Sequence, residues 1–407
     1  MEKIKIGMVG LGQRGETLLN ALLAVDDAQV VAVCDLYADR CEKAAKTVKE
    51  KRGHAPRVYA DFKEMLADKD VRVTFICSSW EAHIEQAILS MRAGKITAME
   101  VGGASNLQEC YDLVSAYEET HTPFMMLENC CYDRFELLST ALTRKGVLGE
   151  IVHCHGAYSH DLRDEILGGN VHRHYRLKHY QNRNCENYPT HELGPIAKLL
   201  GVNRGNRMVK LYSAASKAAG LTAFSYSDKN PDLTLRGQQF AQGDIVNTLI
   251  TCENGETVSL TLDTTLPKYY SREFTVRGTK GLTNQEANMI FLEGKHDSHE
   301  FFDVEKTIEK YLNNANEYKE YLPDYWKNIT EKERELGHGG MDYFMCREFI
   351  HAVQSGAEMP IDVYDAAAWA SVTPLSEESI RTGLAVDMPD FTRGAYKTRP
   401  LKDVVPL

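Results

Sequence analysis

The chain has 407 residues, 43% of them apolar, which is enough for two domains or for one core domain with a large insertion, and nothing in the composition requires disorder. A formal net charge of -11, from 47 basic against 58 acidic residues, without a Lys/Arg stripe interleaved with aromatics, excludes a phosphate-backbone binder, so no nucleic-acid partner is expected. Ten cysteines at irregular spacings with no CxxC pair, no apolar run of membrane-spanning length, and an N-terminus lacking a signal-peptide core together predict a cytoplasmic protein with reduced thiols and no membrane partner.

From the N-terminus, Ile4 to Val9 is a short apolar run, followed by Gly10-Leu11-Gly12-Gln13-Arg14-Gly15 and a helical pattern through Leu18, Leu19, Ala21, Leu22 and Leu23. A second buried strand, Val30 to Cys34, ends at Asp35, 20 residues after Gly15. The three glycines let the chain turn tightly, approach a pyrophosphate and pack helix on strand, with the diphosphate at the helix N-terminus. Asp35 is placed to accept hydrogen bonds from an adenosine ribose, and all four parts stand at the spacing dinucleotide binding needs. Its carboxylate repels a 2'-phosphate, and Leu36 and Tyr37 supply no basic replacement, so NAD is expected rather than NADP.

The alternation continues with helices over 38–51 and 61–66 (capped by Asp61), a strand over 71–77, a helix over 83–93, a strand over 96–99, a helix over 107–119 and a strand over 123–127. This spacing predicts a parallel, doubly wound sheet with its ligand at the C-terminal strand ends. Ser78 to His83, Glu100-Val101 and Glu128-Asn129 follow such ends and should line one crevice. After Asn129 come a helix over 135–144, a turn over 146–150 and strands beginning at Ile151 and over 208–215, 245–252, 257–263, 274–277 and 289–292, with a hairpin signal at Glu253-Asn254-Gly255-Glu256. Residues 300–337, rich in charges and aromatics, read as exposed helices or a covering excursion. Gly337-His338-Gly339-Gly340 then leads into helices over 341–356 and 363–382. The expected fold is α/β: an N-terminal Rossmann domain over 1–128 with a doubly wound parallel sheet, then an α+β domain over 129–407 with a mostly antiparallel open sheet.

Two clusters remain. His153-Cys154-His155 puts both imidazoles on one strand face near His160, but no second ligand pair matches it, so a half-exposed strand is expected and no metal. In Glu186-Asn187-Tyr188-Pro189-Thr190-His191, Pro189 restricts Tyr188 and Thr190 is a good N-cap for a helix running to about Leu200. His191 then stands in the first turn, where the helix potential disfavours an imidazolium. A capped surface helix with a buried His and a Tyr/His pair acting on one small ligand are both open on these residues alone.

The glycine turn with Asp35 and the β-rich second half resembles the Gfo/Idh/MocA superfamily of sugar-handling nicotinamide proteins. Glu128-Asn129-Cys130-Cys131, Gly149 to Cys154, His160 to Asp164, Tyr188-Pro189-Thr190-His191 with Leu193-Gly194-Pro195, Asn203 to Arg207, and Thr265-Leu266-Pro267 with Tyr270-Ser271-Arg272 narrow the resemblance to glycoside hydrolase family 109. The resemblance implies NAD contacts at Gln13 and Arg14 of the turn formed by Gly10, Gly12 and Gly15, and at Asp35, Trp80, His83, Glu100, Val101, Asn129, Arg176 and Tyr188. It implies sugar contacts at Tyr158, Tyr188, Pro189, Thr190, His191 and Tyr270, and a homo-oligomer through the open sheet face. The implied activity is hydrolysis of α-N-acetylgalactosaminides or related glycosides by oxidation at C3, loss of the C2 proton, elimination of the aglycone, water addition and reduction, with NAD retained. In that scheme His191 takes the C3 hydroxyl proton, Tyr188 or Tyr270 serves the C2 proton or the leaving group, and Tyr158 positions the sugar. Many dehydrogenases of the superfamily place a Lys after the Glu that here is Glu100; this chain has Val101 there. A simple NAD-dependent sugar dehydrogenase is the alternative, and a non-catalytic NAD or sugar sensor is a third reading. The polar 170–187 segment is either a basic substrate wall or a solvated loop.

Overall fold

Six parallel strands, β1 (Ile4–Val9), β2 (Ala28–Cys34), β3 (Arg57–Tyr59), β4 (Val73–Ile76), β5 (Ile96–Met99) and β6 (Phe124–Met126), form the first sheet in the order β3-β2-β1-β4-β5-β6. The computed structural model describes residues 3–297, 299 and 303–407; Met1 and Glu2, which lead into the first expected strand, and residues 300–302 of the expected excursion lie outside the described residues. The order reverses between β1 and β4, which is where a doubly wound sheet opens a crevice at its carboxyl edge. Strand interiors explain the arrangement: every residue of β4 is buried, as a strand covered on both faces requires.

Eight strands build the second sheet: β7 (Ile151–Ser159), β8 (Met208–Ala215), β9 (Ile245–Cys252), β10 (Thr257–Asp263), β11 (Thr275–Gly278), β12 (Gly281–Asn284), β13 (Met289–Leu292) and β14 (Val386–Asp387), ordered β13-β12-β11-β7-β10-β9-β8-β14. All neighbours are antiparallel except β10 and β7. β9 alternates buried and half- or fully exposed residues along its length, the pattern of a sheet with one open face. On β7, Cys154 and Tyr158 are buried, while His153 and His155 on the other face bond Thr257 and Ser259 hydroxyls of β10 at 2.8 and 2.9 Å.

The chain forms two compact units, one of Met1–Tyr132 with Asn328–Ala370 and one of Asp133–Lys327 with Ser371–Leu407. This departs from the expected division of 1–128 against 129–407. The helix Met341–Ser355 packs on β1 and on the helix Gln13–Leu22, and the helix Val363–Ala370 packs on β6 and the helix Leu107–Thr120, so both complete the first unit. The single helix expected over 363–382 is two, Val363–Ala370 and Val372–Thr382. Pro374 has no N–H to give the Ala370 carbonyl, and the Ala104 amide takes that carbonyl instead at 3.1 Å. The 170–187 segment is not a solvated loop: it carries the short helices Gly169–His172 and Arg176–Asn182, with Arg176, Leu177 and Tyr180 buried. Among the described residues, no helix is long and apolar enough to cross a membrane.

Candidate functional site

In the first unit, β1 runs into Gly10 with φ 83, and the helix Gln13–Leu22 begins after Gly12 with no side chain capping it. A Cβ on Gly10 would lie 2.3 Å from the Ser78 amide nitrogen, and one on Gly15 would lie 2.1 Å from the Gly10 carbonyl oxygen. Gly12 is different, since a Cβ there would meet only the Arg40 side chain, at 3.4 Å. Two glycines thus let strand, turn and helix close on one another, and the middle one keeps a side chain away from the face a diphosphate approaches. Asp35 closes the turn, accepting from Leu11 N at 2.7 Å and from Tyr37 N at 3.0 Å. These cradles and the buried carboxylate at the end of β2 fit an adenosine dinucleotide. Arg40, outside the sequence reading, holds its guanidinium over the Tyr37 ring at 4.7 Å and 4.0 Å from Asp35.

Two residues assigned to the cofactor by resemblance, Arg14 and Asn129, converge on one carboxylate, and Arg14 links it to a third, Glu100. Arg14 grips Asp342 through two bonds of 2.8 and 3.0 Å and donates Nε to Glu100 at 3.0 Å, while Asn129 Nδ2 donates to Asp342 at 2.8 Å. Burial by itself raises the Asp342 carboxyl, but Arg14 and His338, whose Nδ1 is 2.8 Å away, overcome it and hold the group far below the ordinary carboxylate range. Glu100 turns its second oxygen back to the Val101 amide at 3.0 Å. Trp80 and His83 are both buried in the first turn of the helix Trp80–Arg92, which starts three residues before the expected 83–93 span. Burial pushes His83 down to about 4, so its ring is neutral, and it bonds the Ser78 carbonyl at 3.0 Å. Gln13 is exposed at the start of its helix.

In the second unit, the Tyr188-to-His191 segment enters the helix Thr190–Leu199, which packs on β7. Thr190 is not its N-cap. Pro189 occupies that position in an αR conformation with no side-chain cap bond, and Thr190 Oγ1 is buried without a hydrogen-bond partner among the described residues. Pro195 sits inside the helix, where it offers no N–H to the His191 carbonyl. Gly156 on β7 lets the helix come close, since a Cβ there would stand 3.0 Å from Glu192 Cβ and 3.1 Å from its carbonyl oxygen.

This packing gathers rings. Tyr188 lies 4.7 Å from both Tyr158 and His191, Tyr158 lies 5.5 Å from His191 and 6.4 Å from Tyr270, and His160 lies 5.3 Å from Tyr270, all centroid to centroid. The Arg176 guanidinium covers the Tyr188 ring at 5.0 Å, with Nε 3.0 Å from Glu165. Burial pushes the Tyr158 phenol up to about 12, with Arg176 only partly offsetting it, so Tyr158 stays protonated and acts as a donor near neutral pH. Beneath the segment, burial lifts the Glu186 carboxyl to about 8, and one of its oxygens is 3.4 Å from the Tyr188 amide. The side chains expected to meet sugar, Tyr158, Tyr188, His191 and Tyr270, are therefore together, as are Arg14, Glu100 and Asn129 in the other unit. Sequence reasoning missed Asp342 and Arg40.

Strand order, glycine turn and terminal acid define the first unit as a dinucleotide-binding Rossmann domain, and residues 4–127 match the model described as "Oxidoreductase family, NAD-binding Rossmann fold". Residues 132–398 match "Glycosyl hydrolase 109, C-terminal domain", and the chain belongs to glycosyl hydrolase family 109. It is 36% identical over 429 residues to a glycosyl hydrolase family 109 protein of Stenotrophomonas maltophilia, covering 98% of this chain and 91% of the relative. It is 35% identical over 417 residues to an alpha-N-acetylgalactosaminidase of Tannerella forsythia, covering 97% of this chain and 87% of the relative. Among solved structures, levoglucosan dehydrogenase in complex with NADH and L-sorbose superposes with a TM-score of 0.70 over 96% of this chain and 100% of that one. Its 18% identity makes this a likeness of fold alone.

Proposed function

We propose that the chain is a glycosidase that cleaves α-N-acetylgalactosaminides or closely related sugars and retains NAD through each turnover. The observation that carries this reading is the gathering of Tyr188, His191 and Tyr270 around Tyr158, with ring centroids 4.7–6.4 Å from it. An ordinary glycosidase sets two carboxylates across the scissile bond. Phenols and an imidazole instead suit proton transfers beside a ketone, and the name of the Tannerella forsythia relative supports the sugar class.

On this reading Gly10, Gly12, Gln13, Arg14 and Gly15 hold the NAD diphosphate, Asp35 takes the adenosine ribose, and Trp80, His83, Glu100, Val101, Asn129, Arg176 and Tyr188 line the remainder. When bound, NAD supplies the reversible oxidation at sugar C3 that makes the C2 proton acidic. His191 accepts the proton of the C3 hydroxyl. Tyr188 or Tyr270 accepts the C2 proton or serves the departing oxygen, and Tyr158, held protonated, donates to the sugar to position it. The ten cysteines, at irregular spacings with no CxxC pair, support placing the enzyme in the cytoplasm.

A simple sugar dehydrogenase is the second reading, favoured by the fold it shares with levoglucosan dehydrogenase. The Val101 that follows Glu100 argues against it, because the Lys that many dehydrogenases of the superfamily carry there is missing and a net dehydrogenase would need another base. A panel of α- and β-linked nitrophenyl sugars, run with and without added NAD, separates the two. Nitrophenolate release without accumulating NADH is the expected outcome, and NADH formed without nitrophenolate overturns the glycosidase reading.

A further inference from the structure

Tyr270 stands beyond β10 on a segment tied to β7 by backbone bonds: Ser271 and Ser159 exchange amide and carbonyl at 2.9 and 3.0 Å, and the Ala157 amide donates to the Arg272 carbonyl at 2.6 Å. The Arg272 side chain, only 5% exposed, turns back along this segment and uses every edge of its guanidinium. Its Nε donates to Glu136 Oε1 at 2.7 Å, its Nη2 donates to the Asp133 carboxylate, and its Nη1 donates to the Tyr270 hydroxyl oxygen at 3.0 Å. The two acids are themselves fixed. Both belong to the start of the helix Arg134–Arg144, Asp133 caps it through the Arg134 amide, and Glu136 Oε1 also receives Gln285 Nε2 at 2.9 Å.

A guanidinium donates and never accepts, so on that side the Tyr270 oxygen is an acceptor. Its own proton must point elsewhere. Of the flanking side chains, Lys268 is bonded to Glu273 at 2.9 Å and Tyr269 to Glu286 at 2.6 Å. The Tyr270 ring is met by His160 at 5.3 Å, by the Arg272 guanidinium at 5.8 Å and by Tyr158 at 6.4 Å. The other two phenols are placed differently. Arg176 lies over the Tyr188 ring at 5.0 Å and also bonds the Tyr158 hydroxyl, but Tyr158 is sunk where burial outweighs that cation and favours the neutral phenol.

We infer that Arg272 is a positioning residue that makes Tyr270 the acceptor of the C2 proton, by donating Nη1–H to the phenolate oxygen and by being held in place by Asp133 and Glu136. The inference rests on the glycosidase reading and assigns within it the C2 step that Tyr188 and Tyr270 otherwise share. In that step the C2–H bond of the 3-keto sugar breaks and its proton joins the Tyr270 oxygen. The C2–H electron pair becomes the C1–C2 double bond, and the aglycone leaves C1 with the C–O pair, taking a proton from water if it is an alcohol.

The test labels tyrosine at the ζ carbon with 13C, assigns the Tyr270 signal by its loss in Tyr270→Phe, and titrates the full-length protein by NMR. Tyr270 is expected to ionise about one pH unit or more below the ordinary tyrosine value of about 10, and to return toward it in Arg272→Gln. A wild-type midpoint at or above 10 overturns the inference even if Arg272→Gln does not fold. An unchanged midpoint in a folded Arg272→Gln or Arg272→Lys protein overturns it as well. Exchange of the C2 proton of a synthetic 3-keto glycoside in D2O reads the same step without oxidation, and its basic limb should move up in Arg272→Lys. A wild type that cleaves no glycoside while Tyr270 titrates low would count against the glycosidase reading and leave the Arg272–Tyr270 coupling standing.

Discussion

Asp342 joins three groups that no local pattern connects. It lies 328 positions from Arg14 and 213 from Asn129, yet it bonds both, and Arg14 carries the link on to Glu100. Asp342 is the buried member of the pair, while Arg14 is 28% exposed and keeps its bond to Glu100, so Asp342→Asn should lower the unfolding free energy by about 1–3 kcal/mol, the loss of charge-assisted hydrogen bonds. NAD should also bind about tenfold more weakly, because Arg14 and Asn129 lose the group that aims them. The pH dependence has a definite sign. The folded carboxyl is held far below its unfolded value of about 3.9, so its stabilisation is fully present above that value and is lost progressively as pH falls from there toward the folded value. Urea melts between pH 3 and pH 6 should therefore show a steeper acid loss in the wild type than in Asp342→Asn; parallel curves would remove Asp342 from the account. The sequence held one hint of this residue. Gly337, Gly339 and Gly340 all take positive φ, and a Cβ on Gly337 would lie 2.3 Å from Asp342 Oδ2, so the glycine-rich run exists to let the chain close on that carboxylate.

At the scale of elements, the Thr190–Leu199 helix carries His191 and sets Tyr188 against Tyr158, and its height above β7 is fixed at Gly156. Gly156→Ala should push the helix outward by a few tenths of an ångström and lower stability by about 1–3 kcal/mol. Glycoside turnover should fall further than NAD affinity, since the glycine turn lies in the other unit; equal losses in both, measured by kinetics and cofactor titration, would contradict this. Legibility in the sequence follows the same physics. Strands such as Ile245–Cys252 and Thr257–Asp263 fall on their expected bounds because alternation and an Asn-Gly turn are local signals. The helix start was misread at Thr190 because a Pro at the N-cap, already in αR, displaced the expected cap, and the helices over 163–182 were missed because their apolar residues are too few to show a period. The ring cluster was foreseen residue by residue through family resemblance. Its Arg272, Asp133 and Glu136 scaffold was not, because it depends on a contact between a helix start and a segment 136 positions away.

For the whole molecule, the chain's return to its first unit is the feature no composition shift announced. Residues 328–370 cover the parallel sheet, with Phe344, Met345, Cys346, Phe349 and Ile350 of the Met341–Ser355 helix all buried and Phe349 in edge contact with Phe75 of β4 at 6.2 Å. At roughly 1.5–3 kcal/mol for each large apolar side chain, that cover contributes on the order of 10 kcal/mol, which equals the entire stability of an ordinary domain. The same segment brings Asp342. A chain truncated to residues 1–132 retains the glycine turn, Asp35, Glu100 and Asn129, every sequence mark of dinucleotide binding, and would be judged a complete Rossmann domain from its motif. It should nonetheless bind no NAD and show the exposed apolar surface of an unfolded or molten chain by dye binding and loss of near-ultraviolet circular dichroism. Adding residues 328–370 as a linked or separate segment should restore both folding and cofactor binding. A truncated chain that melts cooperatively and binds NAD as the full protein does would show that the returning helices serve only the remainder of the molecule.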